Sequence, residues 1–557
     1  MKLNKIIVIA GISALLGSCD YLDFDESVGK TKDEAYSTFN TLRELVAGVY
    51  SFLPQDFGAM GNALREAATD NAMYVWNTSE VYKMYDNKWA PTNTLDDVWG
   101  NMYTGIRGAN SFLENYDESL LKRLELNDDY KEEIAKFRQY PYEVRALRAF
   151  YYFELAKRYG DVPLVKKTLS LDEVNQLKRI PFQKVIDFIA DECSEIASRL
   201  PINHADFYEE TGRVTRGMVL ALKSRALLYA ASPLHNPNAD KKLWEKAARA
   251  AYDLMEKNWY SLPNINIDPL YNKNGANEVL KSSQLIFERR NGDSDSFERN
   301  NLPIGFEGGK SGNVPTQDLV DAYEVVTADG SEPFSWDNPE HVKFPYQKRN
   351  TLTRDPRFYK TIVYNGAILM DTQVETFEGG KNGLPQEGAT TTGYYLRKYI
   401  NETISLKPEN PIKKAHHYIL FRYAEILLNY AEAMTEWVGP DVIPEGFTLS
   451  ARDALNQVRS AANMPAVNDQ NDAFMKRVRN ERRIELAFED HRFWDIRRWK
   501  MGDVIRKIHG VQVTKSGEYS KIEVQERVWD EKMYLYPISK SELNKNPDLG
   551  QNPGWNN

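Results

Sequence analysis

The sequence predicts a mainly α protein: successive helical hairpins, for which a tetratricopeptide-type stack is one reading, interrupted by a large irregular, loop-rich stretch carrying short strands. Three observations predict it. Apolar residues recur every three to four positions in successive stretches before residue 260 and again after 417. Short breakers separate these stretches, as stacks of helical hairpins require. Between the two helical parts, residues 261–416 hold the turn pairs Asn291-Gly292, Gly308-Gly309, Asp329-Gly330, Gly379-Gly380 and Asn382-Gly383. No strict 34-residue repeat runs through the chain, so the hairpin reading rests on the succession of amphipathic segments.

The first element is a leader. Lys2 and Lys5 precede an apolar run from Ile6 to Leu16, too short to span a hydrocarbon core of ~30 Å. The run ends in Leu16-Gly17-Ser18-Cys19, the form of a bacterial lipoprotein signal. Cleavage there leaves Cys19 as the lipid attachment point, and several acyl chains on one terminus suffice for stable anchoring. The alternative is an ordinary secretory signal with an incidental cysteine. Residues 1–18 are thus read as signal and 19–31, rich in Asp and Glu, as a tether.

The body, residues 32–557, reads as one compact unit with a helical region over 32–260, a loop-rich region over 261–416 and a second helical region over 417–557. The clearest helix is 142–159, where Val144, Leu147, Tyr151, Leu155 and Tyr159 share a face and Gly160 and Pro163 supply the stop. Helices follow over 182–200, 215–231 and from Trp244 to Asn258, then over 417–437, 449–462 and 471–500. Lys360–Tyr364 and Tyr394–Ile400 are the candidate strands.

Composition narrows the function. With 42% hydrophobic and 12% aromatic residues the chain has ample material for a core, and its 32 Tyr and 11 Trp suit packed helices or flat binding platforms. A net charge of −9 without a basic stripe argues against nucleic acid. After Cys19 only Cys193 remains, on the apolar face of its helix, so no internal disulfide forms and a buried, inert thiol is expected. None of the seven histidines sits in an HExxH arrangement and no CxxC occurs, so no metal or cofactor is expected. Loop carboxylates and carbonyls would suit calcium, but no EF-hand spacing appears. Gly305 to Gly312 has the wrong spacing for a phosphate loop, and there is no G-x-S-x-G elbow.

Two segments carry the remaining weight. Arg479 to Trp499 interleaves Arg and Glu at helical spacing, which reads as a salt-bridge lattice in preference to an anion site, with Phe488, Trp494 and Trp499 turned inward. Asp70, Asn71, Tyr74, Trp76, Tyr82, Tyr85 and Trp89 lie among polar residues without a helical period. Aromatic rings on loops can stack on the C–H faces of sugars while Asp, Asn and Arg bind hydroxyls. Core packing is the competing reading for Trp76 and Trp89, and the expected one for Trp99, Tyr103 and Ile106.

Six blocks in order resemble one family, the SusD/RagB glycan-binding lipoproteins of Bacteroidota. They are Arg145–Leu164, Arg213–Pro233, Asp355–Gly366, Arg422–Ala433, Arg479–Trp499, and Leu535–Ile538 with Asn546-Pro547 and Gln551–Gly554. The resemblance implies about four tetratricopeptide-like helix pairs, with the ligand site on the irregular half. It implies a non-enzymatic, lipid-anchored protein on the outer face of the outer membrane. It would capture oligo- or polysaccharide and act as the lid of a SusC-like TonB-dependent transporter. The expected glycan-binding residues are Asp70, Trp76 and Trp89 from the first loop, Trp336 from the middle one and Tyr395. A peptide-capturing lid of the same architecture and a lipid-anchored glycan hydrolase are the alternatives.

Overall fold

The computed structural model describes residues 36–204, 210–343, 345–346 and 353–555. The leader, Cys19 and the tether lie outside the described residues.

Eight helices form the scaffold: α1 (Phe39–Tyr50), α2 (Trp99–Asn115), α3 (Tyr140–Tyr159), α4 (Phe182–Ala197), α5 (Arg216–Ala231), α6 (Lys241–Met255), α7 (Tyr423–Trp437) and α8 (Ala451–Ala461). Each packs on the next, which yields the four expected hairpins. The local chemistry explains the boundaries. Thr38, Thr215 and Asp240 accept backbone N–H bonds at the starts of α1, α5 and α6, and Ser450 with Asp453 makes a capping box at α8. Gly160, at φ +70°, ends α3. Helix α3 is buried on nearly every side, because α2 and α4 cover its two flanks. Cys193 on α4 is fully buried, which pushes its thiol up to about 12.

The loop-rich half is inserted between the third and fourth hairpins. Even so, α6 packs directly on α7, with Tyr252 and Tyr430 ring centres 5.9 Å apart. The inserted half has its own core, where Tyr323, Phe358, Tyr394 and Leu396 meet Ile484 and Phe488 from the C-terminal part. Its sheets are small. Strand β1 (Ala72–Tyr74) runs antiparallel to β2 (Asn313–Pro315), with Met73 opposite Val314. The two candidate strands exist in shortened form, β3 (Ile362–Val363) and β4 (Tyr395–Leu396), and pair with each other. Among the described residues the longest hairpin is Lys507–Val513 with Tyr519–Glu526.

Two helix boundaries differ from expectation. Tyr418–Arg422 is a strand, paired with Leu285–Arg289, and the helix starts only at Tyr423. Its hydrophobic residues are buried on both faces, so periodicity does not separate strand from helix there. The 471–500 segment is two helices, α9 (Asn471–Glu485) and α10 (Arg492–Arg498). Between them Phe488 and Asp490 take φ of 62° and 61°. That break points Glu489 at Arg422 and Lys398, which bond it at 2.6 and 2.5 Å.

Candidate functional site

The charge-dense segment is a lattice, but its pairs join distant parts of the fold. Arg422 on the β-side of α7 reaches Glu485 at 2.7 Å and Glu489 at 2.6 Å. Arg459 on α8 binds Glu481 at 2.9 Å and Glu324 at 3.0 Å. Arg498 binds Glu432 at 2.5 Å and Asp495 at 2.7 Å, while Arg482 holds Asp495 at 2.9 Å. These groups are nearly all buried, so each charge needs its partner. The lattice occupies most of the segment's arginines, Arg497 instead bonding the Phe493 carbonyl and lying over its ring, and it stitches the helical scaffold to the loop-rich half. Phe488, Trp494 and Trp499 are buried as expected.

Three expected ligand contacts turn out to belong to this interior. Asp70 is 5% exposed and sits between Arg492 at 2.8 Å and Arg483 at 3.0 Å. Burial alone would raise its carboxyl, but the two guanidinium groups hold it at about 2. Trp89 is 3% exposed, edge-on to Tyr536 at 4.8 Å and to Trp555 at 5.1 Å. Tyr395 is fully buried, and its hydroxyl donates to the Asn382 carbonyl at 2.6 Å. None of the three presents a ring face or free oxygen to solvent, so each is corrected to a structural role.

Trp76 and Trp336 are different. Both are half-buried, and each has its indole N–H tied down. Trp76 follows β1 and donates to the Lys310 carbonyl at 2.7 Å. Its six-membered ring lies against Gly388, where a Cβ would come within 2.9 Å, so only glycine lets the 384–388 loop close over the ring edge. Exposed Asn77 and Thr78 follow Trp76 in the chain, and its anchor Lys310 is exposed as well. Trp336 donates to Asp321 at 3.1 Å, stacks edge-on with Phe334 at 5.5 Å, and has Lys521 bonded to the same carboxylate at 2.8 Å. A fixed ring loses little entropy when a ligand stacks on it. The two rings are anchored beyond opposite ends of β2, Trp76 at Lys310 before it and Trp336 at Asp321 after it. The two indoles are thus held by different anchors.

Sequence reasoning missed the anchors. Lys310 lies in the glycine-rich 305–312 stretch, and Asp321 in the helix Gln317–Ala322. The glycine clustering at 305–312 and around 388 was the available signal, since glycine marks close backbone approach. Among the described residues no group of three or more His, Cys, Asp or Glu is placed to hold a metal ion. No described helix is long and apolar enough to cross a membrane.

Comparison with known proteins is decisive for the family. A model described as the SusD family matches residues 283–555, and one described as "Starch-binding associating with outer membrane" matches residues 20–228. The chain belongs to the SusD/RagB family. Similar relatives within it include SusD-like protein P38 of Formosa agariphila, 24% identical over 582 aligned residues that cover 98% of this chain and 97% of that one. A SusD-like protein from Bacteroides fragilis NCTC 9343 superposes with a TM-score of 0.76 at 25% identity, covering 95% of this chain and 99% of that one. A SusD-like carbohydrate binding protein from the same strain gives 0.74 at 26%, covering 92% and 99%. The SusD fold, a mainly helical scaffold with small scattered sheets, is thus shared with the two Bacteroides fragilis structures.

Proposed function

We propose that this SusD-family protein captures oligo- or polysaccharide at the cell surface without breaking bonds, and passes it to a SusC-like TonB-dependent outer-membrane transporter whose lid it forms. The observation that carries the reading is the pair of half-exposed indoles, Trp76 and Trp336, each held rigid by its N–H bond on the loop-rich half. Sugar C–H faces stack on such rings, and each contact adds about 0.5–1.5 kcal/mol beyond area burial. A few contacts give micromolar to millimolar affinity, adequate for capture followed by release. Exposed Asn77, Thr78 and Lys310 stand ready to bind hydroxyls. The carbohydrate binding named for a Bacteroides fragilis relative supports the ligand class. The family match beginning at residue 20, directly after Cys19, supports the anchored mature start.

The test is a polysaccharide array on the full chain, followed by calorimetry on the hits and an assay for released reducing ends. Retention on a polysaccharide, weakened in both Trp76→Ala and Trp336→Ala and without new reducing ends, is the expected result. Turnover, or binding untouched by both substitutions, overturns it. Incorporation of labelled palmitate, lost in Cys19→Ala, tests the anchor, and co-purification with a transporter tests the lid.

A further inference from the structure

A cleft of about 270 Å³ opens between α2, the 163–177 segment and the C-terminal helix Lys540–Lys545. It lies on the helical scaffold and uses neither Trp76 nor Trp336. We infer that it binds a small amphiphilic carboxylate: an apolar body carrying one anionic head.

The walls are mostly apolar, with Trp99, Ile106, Val165, Leu177 and Leu549 among them. Apart from exposed Asn175 and Arg107, the polar groups that reach the cleft are already engaged by the protein. The Tyr103 hydroxyl donates to the Pro163 carbonyl at 2.8 Å, and Thr104 Oγ1 to the Gly100 carbonyl at 2.8 Å. Asn110 bonds the Val165 and Lys167 carbonyls, and Asn546 the Leu177 carbonyl. Lys167 is paired with Glu173 at 2.9 Å, and Lys545 with Glu542 at 2.7 Å. A sugar, with a hydroxyl on almost every carbon, would find few open partners here and would lose its water for nothing.

Arg107 is the exception among the charged groups. Gly100, Tyr103, Thr104 and Arg107 form one stripe of α2 along the cleft. Arg107 is exposed at its rim, and among the described residues no carboxylate is paired with it. One unneutralised guanidinium beside an apolar cavity selects one carboxylate attached to an apolar body, since guanidinium binds carboxylate through two parallel N–H bonds.

Calorimetric titration of the purified full chain with octanoate and with 3-phenylpropanoate tests this. At least one acid should bind saturably at a single site, and the two arms distinguish an aliphatic from an aryl ligand. Arg107→Ala should weaken binding about tenfold or more. Gly100→Leu should abolish it: Gly100 lines the cleft and a Cβ there meets open space, so a larger side chain can project into the ligand's place. A circular-dichroism melt matching the wild type confirms that the loss is local. Absence of saturable binding by both acids, octan-1-ol binding as tightly as octanoate, or binding indifferent to Gly100→Leu would each overturn the proposal.

Discussion

Arg492 grips Asp70 with a two-pronged fork, Nε to Oδ1 and Nη2 to Oδ2, both at 2.8 Å, across 422 positions of sequence. Arg483 adds a third contact to Oδ2 at 3.0 Å. The first loop is thereby pinned to α9 and α10, and β1 is held in register against β2.

Replacing Asp70 with Asn leaves two buried guanidinium groups facing a neutral amide. Removing one partner of a buried pair costs about 3–5 kcal/mol. Chemical denaturation of Asp70→Asn should show that loss. A variant as stable as the wild type would mean that the fork is not part of the folded state's stability.

Acid should unfold the protein steeply. Burial would raise the carboxyls of Asp70, Glu154, Glu432 and Glu485, but neighbouring Arg and Lys groups outweigh it and hold each at about 2. A folded-state value below the unfolded one, about 4 for these acids, means that the unfolded chain binds more protons in acid. The stabilisation is complete above that unfolded value and drains away as pH falls towards 2. Melting temperature measured from pH 6 down to 2.5 should drop with increasing slope below about pH 4.5; a flat profile would contradict the lattice.

Glu66 works in the opposite sense. It is fully buried, and burial raises its carboxyl to about 7 despite the 2.6 Å bond from the Asn71 amide. The folded state therefore binds the extra proton between the unfolded value and 7, and stability declines as pH rises through that window. The unfolding free energy of Glu66→Gln minus that of the wild type should grow from about pH 4.5 to 7.5 and level off above it, by about 3 kcal/mol in all. A difference that stays constant would show that Glu66 does not ionise there.

The tryptophans of the first loop should separate cleanly. Trp89→Ala removes a ring packed on Tyr536 and Trp555 and should cost about 3–5 kcal/mol of stability. Trp76→Ala should leave the melt within a degree or two and weaken glycan binding about tenfold or more. The reverse pattern, in paired melts and titrations, would exchange the two assignments.

Helices were the legible part of the sequence, because the 3.6-residue period and breakers such as Gly160 are local signals. Cys193 was legible for the same reason. Trp76 and Trp89 were not separable, since both sit among polar residues without a period. What buries Trp89 is Tyr536 and Trp555, more than 440 positions away, whereas Trp76 packs only partly on the core and is held by Lys310 and Gly388. Asp70 reads from sequence like any loop carboxylate, and its two arginines arrive from the C-terminal segment. The alternation of charge over 479–499 announced a lattice, but its partners, such as Arg357, Arg422 and Arg459, come from three other regions.

The lattice also constrains how the chain can mature. Arg65 takes Asp56 and Asp96 from nearby sequence, yet its third partner is Asp490, and Asp70 waits for Arg483 and Arg492. A polypeptide that emerges amino end first must hold these half-matched groups in water until its last hundred residues follow. Shortened products ending before residue 483 then lack the means to close the first loop, and quality-control proteases would meet them open.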